Sequence, residues 1–196
     1  MSTARATDLQ GFLDDARAAL GRSRESDAQA VIDAVFARLE RPAPRAAVMP
    51  ARLPACAQLA PALDLTRRGS TAMARLADSF AALEPEFTWR HATRAAARGA
   101  AFDTGYASAI VVGSDGLETR DDVRIGISLM APELRYPDHD HPPAEIYLVL
   151  SAGEWRQEQR AWWAPGCGGI VHNPPNITHA MRAIDAPLLA IWFLLL

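Results

Sequence analysis

The sequence predicts a mainly β protein of the α+β class, with a helical N-terminal half followed by an antiparallel β-barrel or sandwich. Residues 1–104 are rich in Ala, Leu and Arg and repeat apolar residues at helical spacing. Residues 105–196 instead form short β-rich runs, about ten residues apart, separated by Gly, Pro and Asn. Apolar residues make up 49% of the 196 residues, which is enough for a sizeable core. Because the junction lacks the composition of a linker, we expect the helices to pack on the β-rich half.

Apolar stripes locate the helices of the first half. The predicted helices cover residues 8–20, 26–39, 53–65 and 71–83, with a final turn or helix over residues 88–98. Ser26 or Asp27 is the predicted N-cap of the second helix, because short polar side chains accept hydrogen bonds from the first turn. Pro42 and Pro44 end that helix and begin a loop.

Short apolar runs between turn residues locate the strands of the second half. The predicted strands cover residues 106–113, 123–129, 134–136, 144–150, 154–163, 169–172, 178–184 and 188–194. Gly-Ser-Asp-Gly at 113–116 and Asn-Pro-Pro-Asn at 173–176 are typical turn sequences. Many short strands with such turns indicate an all-β barrel or sandwich in this half.

The most informative motif is His139, His141, Glu145 and Tyr147, followed by a distant His179. The first four read H-x-H-x₃-E-x-Y, and all four positions are odd-numbered. Because side chains alternate between the faces of a strand, odd positions can place two imidazoles, a carboxylate and a phenol on one side. Imidazole nitrogens with one carboxylate oxygen suit a divalent transition metal and leave coordination positions open.

A stretch rich in His, Asp and Pro is also typical of an ordinary polar loop. The position of Glu145, the apolar strand that follows it and the isolated His179 favour a metal site instead. We therefore expect one divalent metal ion, which could be Zn, Fe, Mn, Co or Ni, because sites of His and Glu accept all five. We expect His91 and His172 to have structural roles.

Composition excludes several functional classes. The net charge of −3 gives no indication of nucleic acid or a membrane surface as a partner. No apolar stretch reaches the roughly 18 residues of a membrane span, and residues 1–20 lack a signal-peptide core, so we expect a cytoplasmic protein. No P-loop, dinucleotide fingerprint or Ser/His/Asp triad signature is present, so the sequence gives no support for a kinase, a dinucleotide-binding enzyme or a hydrolase.

Two segments resemble the cupin-type dimethylsulfoniopropionate (DMSP) lyases. These are RYPDHDHPPAEIYLVLS at 135–151 and HNPPNITHA at 172–180, and the specific likeness covers residues 135–182. Outside this range the resemblance is one of organisation, with helices before a cupin. Asn176 stands where many cupins have Gly. The resemblance implies a cupin double-stranded β-helix barrel at 105–196, with the metal inside it, preceded by a helical region at 1–104.

The resemblance also implies an activity and a role for each motif residue. Such lyases cleave DMSP to dimethyl sulfide and acrylate. His141, Glu145 and His179 are then metal ligands, and His139 is a fourth ligand or a near neighbour. Tyr147 is the implied base of the β-elimination, with Tyr136 as a second tyrosine at the pocket. A nearby cation favours the phenolate form of a tyrosine, which otherwise titrates near 10.

A sulfonium substrate requires a binding surface for its cationic end. Aromatic faces attract such cations, and besides Tyr136 the candidate residues are Tyr106, Trp162, Trp163 and Trp192. Trp162 and Trp163 are adjacent, so only one of them can face inward from a strand.

Other functions and a quaternary state stay open at this point. Another cupin metalloenzyme, such as an isomerase or a dioxygenase for a small carboxylate or sugar, would fit the same ligands, as would a non-catalytic binding cupin. Tyr147 favours the lyase, because a β-elimination needs a base. We also expect the helical half to allow a homodimer contact.

Overall fold

A computed structural model describes residues 4–91 and 99–196. Five helices are present in these ranges: α1 (Thr7–Leu20), α2 (Ser26–Leu39), α3 (Leu59–Arg67), α4 (Thr71–Leu83) and α5 (Ala100–Gly105). Eight strands follow: β1 (Tyr106–Val112), β2 (Val123–Met130), β3 (Arg135–His139), β4 (Glu145–Val149), β5 (Glu154–Gln157), β6 (Ile170–Asn173), β7 (His179–Arg182) and β8 (Leu188–Leu195). None of the helices in the described ranges has the length and apolar character needed to cross a bilayer.

The helices differ from the predicted ones in four places. Neither predicted residue caps α2, because Glu25 occupies the N-cap position without a side-chain hydrogen bond. Residues 53–65 divide into a 3₁₀ turn and α3, in whose first turn Pro61 needs no backbone N–H partner. Thr88 and Arg90 form isolated β-bridges rather than a helix. The prediction for residues 92–98 lies outside the described residues, and α5 was not predicted.

The strands form two antiparallel sheets that face each other. The larger sheet has the order β1-β2-β8-β4-β6, and the smaller has the order β3-β7-β5. The predicted strand over 154–163 is instead a hairpin, in which Trp155 pairs with Trp163 and Glu158 adopts a left-handed φ of 52°. A residue with positive φ breaks an extended run, so β5 ends at Gln157.

The larger sheet is buried on both faces. Its outer face packs against α1–α4 in one apolar core, in which Phe36 of α2 lies with its ring centroid 6.0 Å from that of Phe193 of β8. Its inner face packs against the smaller sheet in a second apolar cluster that includes Tyr147 and Trp155. Burying each large apolar side chain contributes about 1.5–3 kcal/mol, so the helical half stabilises the sheet that carries one side of the barrel.

A buried ion network joins the start of the chain to the β1–β2 hairpin. The Glu118 carboxylate accepts hydrogen bonds from the guanidinium groups of Arg5 and Arg120, and all three side chains are at most 7% exposed. The same two arginines donate to backbone carbonyls of Leu39 and Arg38 at the end of α2. Burial alone would raise the pKa of Glu118, but Arg5 and Arg120 outweigh it and lower the pKa.

We predict that Glu118→Ala lowers the free energy of unfolding by about 3–5 kcal/mol, because it leaves the buried Arg5 without a charged partner among the described residues, whereas Arg120 keeps Asp122. Urea unfolding followed by circular dichroism measures this. Asp78→Ala is the control, since it removes an exposed partner of Arg67 and should cost about 0–1 kcal/mol. The stabilisation from Glu118 is present above its unfolded-state pKa and is lost as the pH falls through its lowered folded-state pKa. Equal losses for the two variants would contradict this role of the network.

Candidate metal centre

Three histidines meet inside the barrel. Their ligand atoms all lie within 4.8 Å of one another: His139, His141 and His179. His139 ends β3 and His179 begins β7, where the two residues are directly paired, whereas His141 lies in the turn before β4. The motif therefore does not lie on one strand. Its side chains converge because the smaller and larger sheets face each other across the barrel.

An irregularity in β3 places two site side chains together. The register of β3 with β7 shifts between Tyr136 and His139, so that these residues pair with Met181 and His179. Without the shift, positions three apart would point to opposite faces of the strand. The Tyr136 and His139 ring centroids are instead only 4.8 Å apart.

Local backbone contacts orient all three imidazoles. Nδ1 lies 3.0 Å from the Pro137 carbonyl oxygen in His139, 2.9 Å from that of Pro143 in His141 and 2.9 Å from that of Ile177 in His179. A carbonyl oxygen only accepts, so each Nδ1 carries the hydrogen and donates it. In the neutral ring the Nε2 lone pair is then free, which is the arrangement that metal-binding histidines use.

The Nε2 atoms of His141 and His179 are buried without a hydrogen-bond partner among the described residues. A buried polar atom without a partner is costly, and native proteins contain few of them. Two such lone pairs beside a third imidazole and a carboxylate match the donor set of a divalent transition metal. The residues present therefore fit the expected ion.

Glu145 supplies the carboxylate at this point. Its Oε2 lies 3.4 Å from Nε2 of His141 and 3.3 Å from Nε2 of His179. Burial alone would raise the pKa of Glu145, but His141 and His179, when protonated at Nε2, outweigh it and lower the pKa to about 2. Burial, with the charge of His179, lowers the pKa of His139 to about 4. Glu145 is therefore ionised and His139 neutral at physiological pH, as metal ligands must be.

Aromatic rings line the interior next to the histidines. Tyr106 and Tyr136 lie with ring centroids 5.0 Å apart, and Phe102 of α5 stacks on Tyr106 at 5.0 Å. Tyr147 is 3% exposed and points inward from β4, two residues after Glu145. Burial, followed by the charge of Glu145, raises the pKa of Tyr147, so its phenol is neutral in the absence of a nearby cation.

The three predicted tryptophans lie in different environments. Trp192 is on the inner face of β8, directly paired with Tyr147 of β4 and packed against the inner cluster. Trp162 is outside the barrel, where its ring contacts the guanidinium groups of three arginines, and Trp163 is 36% exposed. The structure therefore brings Trp192 to the interior and does not bring Trp162 or Trp163 there.

Four interior residues were missed by sequence reasoning. Phe102, Trp155, Gln157 and Asn173 all lie beside the predicted site residues. Trp155 is 1% exposed, and its indole N–H has no partner among the described residues. Phe102 sits four positions before Tyr106, a helical spacing that could have indicated it. Asn173 is the first residue of the predicted Asn-Pro-Pro-Asn turn, so the sequence indicated a turn residue and not a site residue.

The turn after β6 explains one departure from the cupin pattern. Asn176 has φ of 61°, in the left-handed region that glycine adopts most easily. Asparagine tolerates this region better than most residues. Its backbone N–H donates to the His141 carbonyl oxygen at 2.9 Å, so the turn carrying Asn176 supports the first motif.

Comparison with known proteins gives a consistent result. A family model for dimethylsulfoniopropionate lyase matches residues 27–190. Dimethylsulfoniopropionate lyase DddQ from Ruegeria pomeroyi is 32% identical over 145 residues, covering 74% of this chain and 71% of the relative. The putative dimethylsulfoniopropionate lyase DddL from Cereibacter sphaeroides is 31% identical over 137 residues, covering 67% of this chain and 54% of the relative.

Solved structures support the same assignment. The crystal structure of DMSP lyase DddQ from Ruegeria pomeroyi DSS-3 has a TM-score of 0.76 at 26% identity, covering 97% of this chain and 92% of that one. A structure from a study of the DMSP lyases RdDddP and RnDddQII has a TM-score of 0.70 and shares the fold at 23% identity. The predicted α+β cupin with a helical N-terminal half is confirmed. This chain belongs to the dimethylsulfoniopropionate lyase family.

Proposed function

We propose that the protein is a metal-dependent carbon–sulfur lyase that cleaves DMSP to dimethyl sulfide and acrylate. The observation that carries this proposal is the convergence of three histidines and Glu145 beside an inward-pointing tyrosine, in a chain of this family. His141, Glu145 and His179 would hold the metal ion, with His139 as a fourth ligand. Bound there, a divalent cation would supply Lewis-acid stabilisation of negative charge, including that of a Tyr147 phenolate.

The aromatic group at one side of the histidines suits the sulfonium end of the substrate. Phe102, Tyr106 and Tyr136 lie with their ring centroids 5.0–5.8 Å from one another, and the Tyr136 centroid is 4.8 Å from that of His139. A cation attracted to such faces gains about 0.5–2 kcal/mol, and more where water is excluded. These rings are buried, so the substrate cation would lose water on entry. The neutral sulfide product would not be attracted to the rings and would leave.

Tyr147 is the proposed base. It lies two residues along β4 from Glu145 and faces the same interior. In the proposed elimination the phenolate oxygen takes the proton from the carbon next to the carboxylate. The C–H electron pair forms the C=C bond of acrylate, and the C–S pair leaves with dimethyl sulfide. The leaving group is neutral, so no residue has to protonate it.

The proposed metal centre predicts a ranking of variants. His141→Ala, Glu145→Ala and His179→Ala should each remove most bound metal and activity, because each deletes a buried donor atom. His139→Ala should have a smaller effect, because the Nε2 atoms of His141 and His179 still converge on Glu145 Oε2 without it. Metal content by inductively coupled plasma mass spectrometry measures this. His172→Ala is the control, because His172 lies on the opposite face of β6 from Asn173. Full metal occupancy in all the ligand variants would refute the centre.

The proposed reaction predicts release of dimethyl sulfide from DMSP, measured by gas chromatography across the five candidate metals. Tyr147→Phe should keep the metal and the fold but lose about 10²–10⁴ in rate, because only the proton-accepting hydroxyl is removed. Tyr136→Phe is the comparison and should cost less if Tyr136 only contacts substrate. Turnover of Tyr147→Phe within a few-fold of the parent, at unchanged metal content, would contradict the assigned base. No dimethyl sulfide with any of the metals would contradict the lyase.

A further inference from the structure

Glu145 has a buried amide partner from the second motif. Asn173 is 0% exposed and lies directly opposite Glu145 in the ladder between β4 and β6. Its Nδ2 donates a hydrogen bond of 2.8 Å to Glu145 Oε2. This is the same carboxylate oxygen that lies beside the imidazoles of His141 and His179. The donor therefore acts on the atom at the centre of the cluster.

A second amide fixes the direction of this hydrogen bond. Gln157 Nε2 donates to the His172 backbone oxygen at 2.6 Å and to Asn173 Oδ1 at 2.9 Å. A backbone oxygen only accepts, so the Gln157 group that faces it must be the NH₂. Asn173 must then turn its oxygen toward Gln157 and its NH₂ toward Glu145. Each group in this series of hydrogen bonds, from His172 through Gln157 and Asn173 to Glu145, is therefore fixed as either a donor or an acceptor.

The same chain joins the two sheets beside the histidines. Gln157 is on β5 of the smaller sheet, directly opposite His179 in the β5–β7 ladder. Asn173 and Glu145 are on the larger sheet. The side-chain bonds therefore connect the sheet that carries His139 and His179 with the sheet that carries Glu145. They restrain the separation of these ligands as well as the rotation of the carboxylate.

We propose that Asn173 and Gln157 are positioning residues for the metal centre, acting through Glu145. Asn173 holds Oε2 of Glu145 toward His141 and His179. Gln157 holds Asn173 in the donating orientation and links the two sheets. Neither residue is a ligand in this assignment. The inference rests on the proposed metal-dependent function and adds the residues that preform its site. Partners that orient metal ligands typically alter metal affinity by about 10–100-fold.

A buried amide pair could also serve the fold alone, and the two roles predict different measurements. A purely structural pair would change unfolding and leave the affinity of the folded protein for metal unchanged. A positioning pair changes that affinity in protein that remains folded. Asn173→Leu removes the donor at similar volume, and Asn173→Asp places a second acceptor against the Glu145 carboxylate. Gln159→Glu is the control for the added charge, because it turns an amide into a carboxylate at an exposed position outside the site.

The experiment titrates each metal-free, full-length variant with zinc against a chromophoric chelator, after circular dichroism has shown that it is folded. We expect the dissociation constant for zinc to rise about 10–100-fold for Asn173→Leu and further for Asn173→Asp. Gln159→Glu should match the parent. Gln157→Met should show a smaller rise than Asn173→Leu, with the exposed Gln159→Met as its control.

The outcomes separate this inference from the proposed reaction. If folded Asn173→Leu and Asn173→Asp bind zinc as tightly as the parent does, the positioning role is overturned and the lyase assignment stands. If the parent binds zinc weakly and the Asn173 variants do not differ from it, the positioning role is also overturned. If the parent releases no dimethyl sulfide while the Asn173 variants bind zinc less tightly, the reaction is wrong and the positioning role stands. Should neither Asn173 variant fold, an unchanged zinc affinity for folded Gln157→Met overturns the role instead.

Discussion

The interior of the barrel holds three imidazoles and a carboxylate within a few ångströms of one another, with Glu145 and His179 buried and His139 and His141 partly buried. Removing such groups from water costs several kcal/mol each unless their polar atoms find partners. The structure supplies those partners one by one. Backbone carbonyls accept from each Nδ1, and Asn173 donates to Glu145. The Nε2 atoms of His141 and His179 are left without partners among the described residues, at one point between the two sheets.

The larger sheet makes this arrangement possible because one face packs on the helices and the other faces the site. Along β4, Ile146 and Leu148 pack outward into the core shared with the helices. Glu145 and Tyr147 alternate with them and face the smaller sheet. Burial of the outer apolar face contributes most of the stability of the sheet. The inner face can therefore carry polar groups that add little to the stability of the fold. The helical half thus supports the candidate site although, apart from Phe102 of α5, it lines little of it.

The sequence was sufficient to predict the groups that follow local rules. Residues 71–83 carry an apolar stripe and form α4 with the predicted bounds, since a stripe at helical spacing can be buried only by a helix. The alternation in β4 correctly predicted that Glu145 and Tyr147 face the same way. These features depend on the period of the chain alone.

Features that depend on contacts distant in sequence could not be predicted in this way. The register shift in β3, which places Tyr136 and His139 together, arises from pairing with β7. From the sequence, Gln157 lies within a predicted strand and Asn173 in a predicted turn, and their hydrogen bonds form only because the two sheets meet. Trp162 is a candidate contact for the substrate cation on the assumption of a strand over 154–163, but β5 ends at Gln157 and the Trp162 indole lies outside the barrel against three arginines.

The account depends most on the claim that the buried histidines and Glu145 form one metal site. X-ray absorption spectroscopy of the zinc-loaded protein tests this directly, because imidazole rings give a characteristic multiple-scattering pattern. We predict a first shell of nitrogen and oxygen at about 2.0–2.2 Å with imidazole scattering in the parent, and little bound zinc in His141→Ala and His179→Ala. A first shell that contains sulfur, a first shell without imidazole scattering, or an unchanged zinc spectrum in both variants would contradict the account.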